Sequence, residues 1–281
     1  MSAPVLRFAP SPNGRLHLGH AYSALFTAEA AKRLDGTFLL RIEDIDRERC
    51  NPEFTEAIFE DLHWLGLDWP EPVLLQSERL ELYAGFGTRL KAMDLLYPCF
   101  CSRTDIAALA HGTDPDGAPL YPGTCRHLPP DEVDRRLTDR DVQWRLRGNA
   151  AIALAGPLAY PIAQPTPGAT LVMTKARPER WGDVVIQRKG TPTSYHLSVV
   201  VDDAAQRITH VTRGRDMEAS TDIHVLLQAL LGLETPVYSF HELLLDADGR
   251  KLAKSRGSES LADLREAGWT AEDVRARLGF D

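Results

Sequence analysis

Short apolar runs with strand character alternate with longer runs of helical spacing through the first 65 residues. Residues 5–9 are apolar except for Arg7, and they predict a short buried strand before the turn Ser11-Pro-Asn-Gly14. Residues 18–34 then repeat small and apolar side chains at helical intervals, and Thr37–Ile42 is a second predicted strand. Because strands that alternate with helices build a parallel sheet, this order predicts an α/β fold.

The helix ends and faces can also be predicted. Asp35-Gly36 closes the first helix, and Asn51-Pro52 supplies an N-cap and a first-turn proline for the second. Each helix has one apolar face, formed by Ala21, Leu25, Ala28 and Ala31 in the first and by Phe54, Ile58, Leu62 and Leu65 in the second. Both helices should therefore pack one face on the sheet.

The sequence between residues 98 and 178 breaks this pattern. It is rich in turns and prolines and holds three of the four cysteines. Regular segments resume afterwards, as predicted strands at residues 183–186, 195–202 and 208–212 and a predicted helix at residues 220–231. We therefore predict a Rossmann-like catalytic domain in two halves, residues 1–97 and 179–281, which share one parallel sheet and are separated by an inserted subdomain at residues 98–178.

With 281 residues the chain is long enough for one sizeable core and one inserted module. No basic segment followed by an apolar run opens the sequence, and the longest apolar stretch, residues 150–163, is short and broken by proline. These features predict neither a secretory signal nor a membrane span, and hence a cytoplasmic protein. We expect it to be a monomer.

The formal net charge of −8 argues against a nucleic-acid partner, since phosphate contacts need lysine and arginine. The charge is segregated along the chain, however. One basic group comprises Arg250, Lys251, Lys254 and Arg256, and another comprises Lys175, Arg177, Arg180, Arg188 and Lys189. Charge therefore leaves an RNA partner open.

Two histidines flank a Leu-Gly pair, His17-Leu18-Gly19-His20, where the first predicted helix begins. A helix N-terminus attracts anions such as a triphosphate through its unpaired amides and its dipole. Gly19 allows a phosphate or a purine ring to approach the backbone, and both imidazoles are hydrogen-bond donors for phosphate oxygens. Taken alone, the pattern also fits two surface histidines near a helix cap.

A second motif, Lys251-Leu-Ala-Lys-Ser255, lies between Gly249 and Gly257 in a segment with loop character. Its lysines are suited to neutralise the charge that develops while an α-phosphate is attacked and pyrophosphate leaves. In isolation, a solvated basic loop is the simpler interpretation. Together and in this order, the two motifs favour a nucleotide-dependent enzyme.

Five blocks in order carry a family resemblance. They are Arg7-Phe-Ala-Pro-Ser-Pro-Asn-Gly14, His17-Leu-Gly-His20, Leu40-Arg-Ile-Glu-Asp44 with Asp46, Arg213-Gly214 with Asp216, and Lys251-Leu-Ala-Lys-Ser255. Together they are similar to the catalytic domain of class I glutamyl-tRNA synthetases and span nearly the whole chain. The lysine signature of that family commonly reads Lys-Met-Ser-Lys-Ser. Here Leu252 and Ala253 replace its middle, so a hydroxyl is missing while both lysines remain.

Those synthetases continue into a helical domain that reads the anticodon, whereas this sequence ends at residue 281, soon after Ser255. The short C-terminus and the Cys-x-Cys insert resemble the glutamyl-queuosine tRNA(Asp) synthetase family. That resemblance implies ATP-dependent activation of L-glutamate and its transfer to the queuosine base at the wobble position of tRNA(Asp), bound through the anticodon stem-loop. We expect no anticodon-binding domain, and an insert that contacts RNA.

The resemblance also implies roles for individual residues. Glutamate would bind to Arg7, Phe8, Ala9, Pro10, Ser11, Glu43, Tyr195 and Arg213, with Glu43 at the α-ammonium group. ATP with Mg²⁺ would bind to His17, Gly19, His20, Lys251, Lys254 and Ser255, and His17, His20 and Lys254 would stabilise the transition state. Glutamate also fits physically, because guanidinium groups hold carboxylates through paired donors. Which arginine meets which carboxylate stays open.

Three cysteines, Cys99, Cys101 and Cys125, lie in the insert, which has no obvious apolar core of its own. Three thiolates suit a structural Zn²⁺ ion. The resemblance implies Tyr121 as the fourth ligand, while His111 and His127 are the conventional alternatives. Cys50 lies outside the insert and is expected to be a free thiol. Three cysteines without metal are the remaining alternative.

Two other functions fit the same motifs. An ordinary glutamyl-tRNA synthetase catalytic core would charge a terminal adenosine, and the missing anticodon domain disfavours it. A non-catalytic RNA-binding relative would keep the fold without the chemistry. Such a relative would not need all of the five residues Arg7, His17, His20, Glu43 and Lys254.

Overall fold

The computed structural model describes residues 3–138, 141–244 and 259–280. Its first part alternates between strands and helices, in the order β1 (Val5–Phe8), α1 (Leu18–Arg33), β2 (Thr37–Ile42), α2 (Pro52–Trp64) and β3 (Leu74–Leu75). The strands form a parallel sheet of order β1-β2-β3, with Val5 opposite Thr37. The predicted α/β fold with a parallel sheet is confirmed.

The start of α2 follows the predicted capping signals. Asn51 is the N-cap, its side chain accepts a hydrogen bond from the N–H of Glu53, and Pro52 is the first helical residue. An extended Asn with a following proline leaves few unpaired amides at the helix start. The predicted start of this helix is confirmed.

The middle of the chain contains shorter elements. A 3₁₀ turn at Gln76–Arg79 leads into α3 (Leu80–Ala92), β4 (Leu96–Cys99), α4 (Arg103–Leu109), α5 (Pro130–Leu137), β5 (Gln143–Leu146) and α6 (Gly148–Ala155). These are followed by β6 (Ala159–Ile162), β7 (Val172–Lys175), a 3₁₀ turn at Pro178–Trp181 and β8 (Val185–Gln187). Strands β4, β5 and β8 form an antiparallel sheet. The strand predicted at residues 183–186 thus appears as β8, outside the parallel sheet.

The last part of the chain returns to alternation. It contains α7 (Tyr195–Ala205), β9 (His210–Gly214), a 3₁₀ turn at Arg215–Met217, α8 (Thr221–Leu231), β10 (Val237–His241), α9 (Leu261–Glu266) and α10 (Ala271–Leu278). The helix predicted at residues 220–231 is confirmed as α8. The strand predicted at residues 208–212 is β9, displaced by two residues.

A second sheet has the order β7-β6-β10-β9, in which β9 and β6 run parallel to β10 and β7 runs antiparallel to β6. It adjoins the first sheet, because the N–H of Thr209 donates to the Val5 carbonyl at 3.0 Å and the N–H of Val5 donates to Thr209 Oγ1 at 2.8 Å. Sequence from both ends of the chain therefore meets in the middle of the fold. Strand β6, from the stretch predicted as an insert, also pairs with β10, and the domain boundaries at 97/98 and 178/179 stay a prediction.

The prediction of a strand at residues 195–202 is wrong, because this segment belongs to helix α7. Residues 197–203 are all buried, so no exposed polar face alternates with a buried apolar one along this segment. Such a run has neither the period of an exposed helix nor that of an exposed strand, and the pattern alone cannot separate a buried helix from a buried strand. The helix carries Tyr195, Asp202 and Asp203 into the interior.

Two large apolar clusters hold the fold together. One joins α1, α2, β1 and β2 to the C-terminal helices α9 and α10, and the other lies among α3, α7, α8 and the β4-β5-β8 sheet. The last described residues are thereby packed beside α1. Among the described residues, no helix combines the length and the apolar character needed to cross a bilayer.

Candidate active site

The first turn of α1 is capped by two histidines. His17 is the N-cap, and its Nδ1 accepts a hydrogen bond from the N–H of Gly19 at 3.0 Å. His20 Nδ1 accepts from the N–H of His17 at 3.2 Å, and the two ring centroids are 3.9 Å apart. Since each Nδ1 accepts, a neutral ring carries its hydrogen on Nε2. Both imidazoles thus have an Nε2–H donor beside a helix N-terminus, which attracts anions.

The chain comes back to this turn after the lysine-rich motif. That motif, residues 251–255 with Lys251, Lys254 and Ser255, lies outside the described residues. From residue 259 the chain is described again, and Ser260 forms an isolated antiparallel bridge with His17. The residues that directly follow the lysine-rich segment therefore lie against the histidine turn.

The loops that follow β1 and β2 are joined directly. Phe8 ends β1, and Ala9, Pro10 and Ser11 follow it. The N–H of Glu43, just after β2, donates to the Pro10 carbonyl at 3.0 Å. Neighbouring parallel strands end at the same edge of a sheet, and this edge is where α/β proteins form their ligand crevice.

A buried ion-pair network links β1, β2 and α7. Asp203 accepts from Arg7 Nε at 2.9 Å, from Arg7 Nη2 at 3.3 Å and from Arg41 Nη1 at 2.7 Å. Arg41 Nη2 lies 3.3 Å from Glu43 Oε1. All four side chains are buried. The network holds Arg7 and Glu43, two predicted glutamate contacts, at fixed positions.

Burial and the two arginines set the pKa values of the acids. Burial alone would raise the pKa of Asp203, but Arg7 and Arg41 overcome this effect and hold the pKa at about 2. Burial also raises the pKa of Glu43, and Arg41 and Arg7 oppose it only in part. Asp203 is thus a permanent anion, whereas Glu43 takes up a proton more readily than an exposed glutamate does.

Tyr195 and Arg213 complete the predicted set of glutamate contacts. Tyr195 begins α7, and Arg213 lies near the end of β9 and is buried. Burial raises the pKa of Tyr195, an effect that Arg213 and Arg7 oppose and Glu43 supports. These charges act on Tyr195 because they are close to it. The fold therefore brings Arg7, Glu43, Tyr195 and Arg213 together from four separate segments.

A cavity of about 730 Å³ lies between this group and the insert. Ser11, Glu43 and Tyr195 line one side, and Tyr121 and Arg145 of the insert line the other. The histidine turn and the two predicted glutamate-binding arginines are not among the lining residues. Sites for small molecules commonly measure about 300–1,000 Å³, so the cavity is of suitable size for a substrate.

The three cysteines of the insert form a cluster. The sulfur atoms of Cys99, Cys101 and Cys125 lie within 4.8 Å of one another, and no histidine or carboxylate of the described residues joins them. Tyr121 Oη lies 3.8 Å from Cys101 Sγ and accepts from the N–H of Cys125 at 2.9 Å. Three sulfur ligands and one oxygen converge, which fits the four-coordinate geometry of zinc.

The two alternative fourth ligands and the remaining cysteine lie elsewhere. His111 and His127 are exposed and do not belong to the cysteine cluster. Cys50 is half-buried, with its Sγ 4.0 Å from the Glu43 carbonyl oxygen, and it lines the cavity. Its place outside the cluster agrees with the expectation of a free thiol.

Three residues of this region were not predicted from the sequence. Arg41 lies inside the block Leu40–Asp44, Asp203 directly follows the strand predicted at residues 195–202, and His224 lies in the helix predicted at residues 220–231. One signal was available, because two adjacent acids, Asp202 and Asp203, interrupt an apolar run and buried acids need partners. The contact of His224 with Arg213 depends on tertiary packing and leaves no sequence pattern.

Comparison with known proteins identifies similar sequences over nearly the whole chain. The family model described as the catalytic domain of class I tRNA synthetases (E and Q) matches residues 5–278. A glutamyl-Q tRNA(Asp) synthetase from Rhodobacter capsulatus is 44% identical, and the match covers 98% of this chain and 100% of that protein. A glutamate–tRNA ligase from a Synechococcus species is 40% identical over 95% of this chain but only 56% of its own length.

The fold also matches solved structures. A glutamate tRNA ligase from Elizabethkingia meningosepticum, crystallised with its amino acid, aligns with a TM-score of 0.73 and 27% identity. The alignment covers 96% of this chain and 59% of the ligase. The chain therefore spans little more than half of that solved structure.

Proposed function

The chain belongs to the family of class I tRNA synthetase catalytic domains for glutamate and glutamine, and we propose that it activates L-glutamate with ATP and transfers it to the queuosine base of tRNA(Asp). It is an enzyme of the ligase type, as its relatives are. Enzymes of this family use ATP.

The main structural support for glutamate as the substrate is the buried group of Arg7, Glu43, Tyr195 and Arg213. Together with Arg41 and Asp203, this group contains three guanidinium groups and two carboxylates, and the adjacent buried acid Asp202 is paired with Arg79. A buried excess of positive charge favours a ligand with net negative charge. Glutamate has two carboxylates and one ammonium group, so its net charge complements the excess.

The activation step needs no side-chain nucleophile. The α-carboxylate of glutamate attacks the α-phosphorus of ATP, a new carboxyl–phosphate bond forms, and the bond to pyrophosphate breaks. Mg²⁺ would accompany the ATP. His17 and His20 would donate Nε2–H hydrogen bonds to phosphate oxygens beside the α1 N-terminus, and Lys254 would neutralise the developing charge. The bridge between Ser260 and His17 supports a common site for both motifs.

Zinc would have a structural role in the insert. Cys99, Cys101 and Cys125, with Tyr121, would hold the ion, and the bound ion would crosslink the segment around β4 to the loop before α5. Such a crosslink compensates for a small apolar core. Tyr121 also lines the cavity, so the ion would stabilise one wall of the substrate site.

The acceptor RNA would bind along the insert and the basic stretch that ends it. Lys175 and Lys189 are exposed there and can contact phosphates, and so can Arg177, whose pair with Glu179 is exposed. Arg180 and Arg188 are paired with the less exposed Asp222 and Asp46. Single-stranded bases are commonly turned out into a pocket while cations follow the backbone. The cavity between the insert and the glutamate group would receive the base.

Transfer to queuosine is favoured over charging of a terminal adenosine by the pattern of similarity. The relative named for glutamyl-Q tRNA(Asp) is matched over its whole length, and the ligase over 56% of its length. The test is incubation with labelled glutamate, ATP and total tRNA, followed by nuclease digestion. Label on a queuosine nucleoside supports the proposal, and label on a terminal adenosine identifies an ordinary ligase. Absence of transfer together with absence of pyrophosphate exchange would point to a non-catalytic relative.

A further inference from the structure

Arg213 is a buried cation for which the described residues supply no carboxylate partner. Its side chain is 7% exposed, and no ion pair in the described part of the chain includes it. Arg7 and Arg41, by contrast, are both paired with Asp203. Since buried charges are normally paired, Arg213 lacks an anion that the described part of the chain does not supply.

The groups that do contact Arg213 are neutral. Its Nη1 lies 3.3 Å from His224 Nδ1, and its guanidinium carbon lies 5.4 Å from the centre of the Tyr238 ring. A guanidinium group only donates hydrogen bonds, so His224 Nδ1 accepts and carries no hydrogen. Burial, followed by Arg213, lowers the pKa of His224 well below its usual value. The imidazole therefore holds Arg213 without adding or removing charge.

Among the described residues, the His224 side chain forms no polar contact other than the one with Arg213. The side chain is fully buried, and its Nε2 has no hydrogen-bond partner among the residues that the structure describes. Its ring packs against Tyr195 and His196. Tyr195 is also one of the residues that line the cavity. The contact with Arg213 is thus the polar interaction that His224 makes, and it lies directly behind the predicted amino-acid pocket.

We propose that His224 is a positioning residue for substrate specificity, which fixes the Arg213 side chain and leaves its charge free for a carboxylate of the substrate. The inference rests on the proposed function, because it assigns the missing anion to glutamate. A carboxylate side chain at position 224 would form an ion pair with Arg213 and neutralise its charge in the absence of substrate. An amide analogue of glutamate would leave the guanidinium unpaired, so the pocket would discriminate against it.

The test compares two substitutions of similar size in the full-length protein. His224→Asn keeps a neutral acceptor for Arg213, and His224→Asp supplies a competing anion. Glutamate-dependent pyrophosphate exchange gives kcat and KM, and glutamine and isoglutamine serve as competing ligands. His63→Asp, at an exposed histidine of α2, controls for the chemical change itself.

We expect His224→Asp to raise the KM for glutamate about 30-fold or more with a much smaller change in kcat, because a lost charge pair weakens ground-state binding. His224→Asn should change KM by less than about 10-fold, because it keeps a neutral acceptor and costs at most one neutral hydrogen bond. In the aspartate variant one of the two amide analogues should gain about 10-fold in affinity relative to glutamate. Equal KM values for both variants, with neither analogue gaining, would overturn the proposal.

A second substitution tests the proposal even if the His224→Asp variant does not fold. Arg213→Gln removes the charge and keeps a donor for His224, and it should lower the preference for glutamate over the sensitive amide by about 30-fold or more. An unchanged preference in this variant would also overturn the proposal. The inference rests only on glutamate activation, and failure of that step is distinguishable, since the unmodified protein would then show no glutamate-dependent exchange.

Discussion

A Cβ atom added at Gly19 would lie 2.9 Å from Cε1 of the His17 ring, closer than real Cβ atoms approach such a carbon. The ring of His17 is held by its own hydrogen bond to the N–H of Gly19. A side chain at position 19 therefore displaces the imidazole that the account places on the ATP phosphates.

Gly19→Ala should lower the rate of glutamate-dependent pyrophosphate exchange by about 10-fold to 100-fold, because a misplaced donor loses its effect on the transition state. Gly85→Ala is the matched control. Gly85 also lies within a helix, and a Cβ there meets nothing within 4 Å. It should leave the exchange rate unchanged and stabilise the protein by about 0.5–1 kcal/mol. Equal activity of the two variants would remove His17 from the proposed mechanism.

The strands and helices of the first 65 residues could be predicted because each has its own period and its own end signals. Asn51-Pro52 determines where α2 starts through local hydrogen bonding alone. Helix α7 could not be predicted, because it is buried on all sides and its sequence lacks the alternation of apolar and polar side chains that marks a helix or a strand. The pairing of Asp203 with Arg7 joins residues 196 positions apart, and no local pattern encodes such a contact.

The candidate site residues differ in the same way, since some depend on local sequence patterns and others on tertiary contacts. His17 and His20 form a local capping arrangement, so their sequence spacing already implied their proximity. The cysteines were predicted from type and spacing, and the structure brings their sulfur atoms together. The neutral partner of Arg213 was beyond prediction, because it depends on how α8 packs against β9.

Lys254→Ala should lower the turnover of adenylation by about 100-fold with little change in the KM for glutamate, because its charge would act on the transition state more than on the bound substrate. Lys254 lies outside the described residues, so this expectation comes from the sequence motif. Lys32→Ala, at an exposed lysine in the last turn of α1, is the control for loss of a lysine. Turnover that is unchanged in the Lys254 variant would exclude the lysine from the chemistry.

The purified protein should contain about one zinc ion per chain, as expected for a site with three thiolates. Cys101→Ser should lose the metal and lower the melting temperature, because the zinc site contributes folding free energy. Cys50→Ser should retain it, since that sulfur lies outside the cluster. Elemental analysis of the three proteins decides between a zinc site and three metal-free thiols. Zinc-free protein in every preparation would support the second alternative.

Asp61 should make stability depend on pH. Burial raises the pKa of this acid to about 6, although Arg265 Nη2 lies 3.4 Å from its Oδ1. The folded protein then binds the proton more tightly than the unfolded chain does, so stability falls as pH rises from about 4 to about 6 and stays lower above that range.

Asp61→Asn removes this dependence and should stabilise the protein by about 1 kcal/mol or more near pH 8, but much less near pH 4. Denaturant unfolding at the two pH values measures the difference. Asp68→Asn, at an acid whose side chain is 94% exposed, should show no such difference. A stabilisation by Asp61→Asn that is the same at both pH values would contradict the assigned role of burial.

The most direct measurement of the central claim uses two short RNAs that differ in one base. Each is an isolated anticodon stem-loop of tRNA(Asp), one with queuosine at the wobble position and one with guanine. The protein is incubated with labelled glutamate, ATP and Mg²⁺, and the label on the RNA is counted. The account predicts stable transfer to the queuosine stem-loop and none to its guanine counterpart. Transfer to the terminal adenosine of tRNA(Glu), with neither stem-loop labelled, would contradict it.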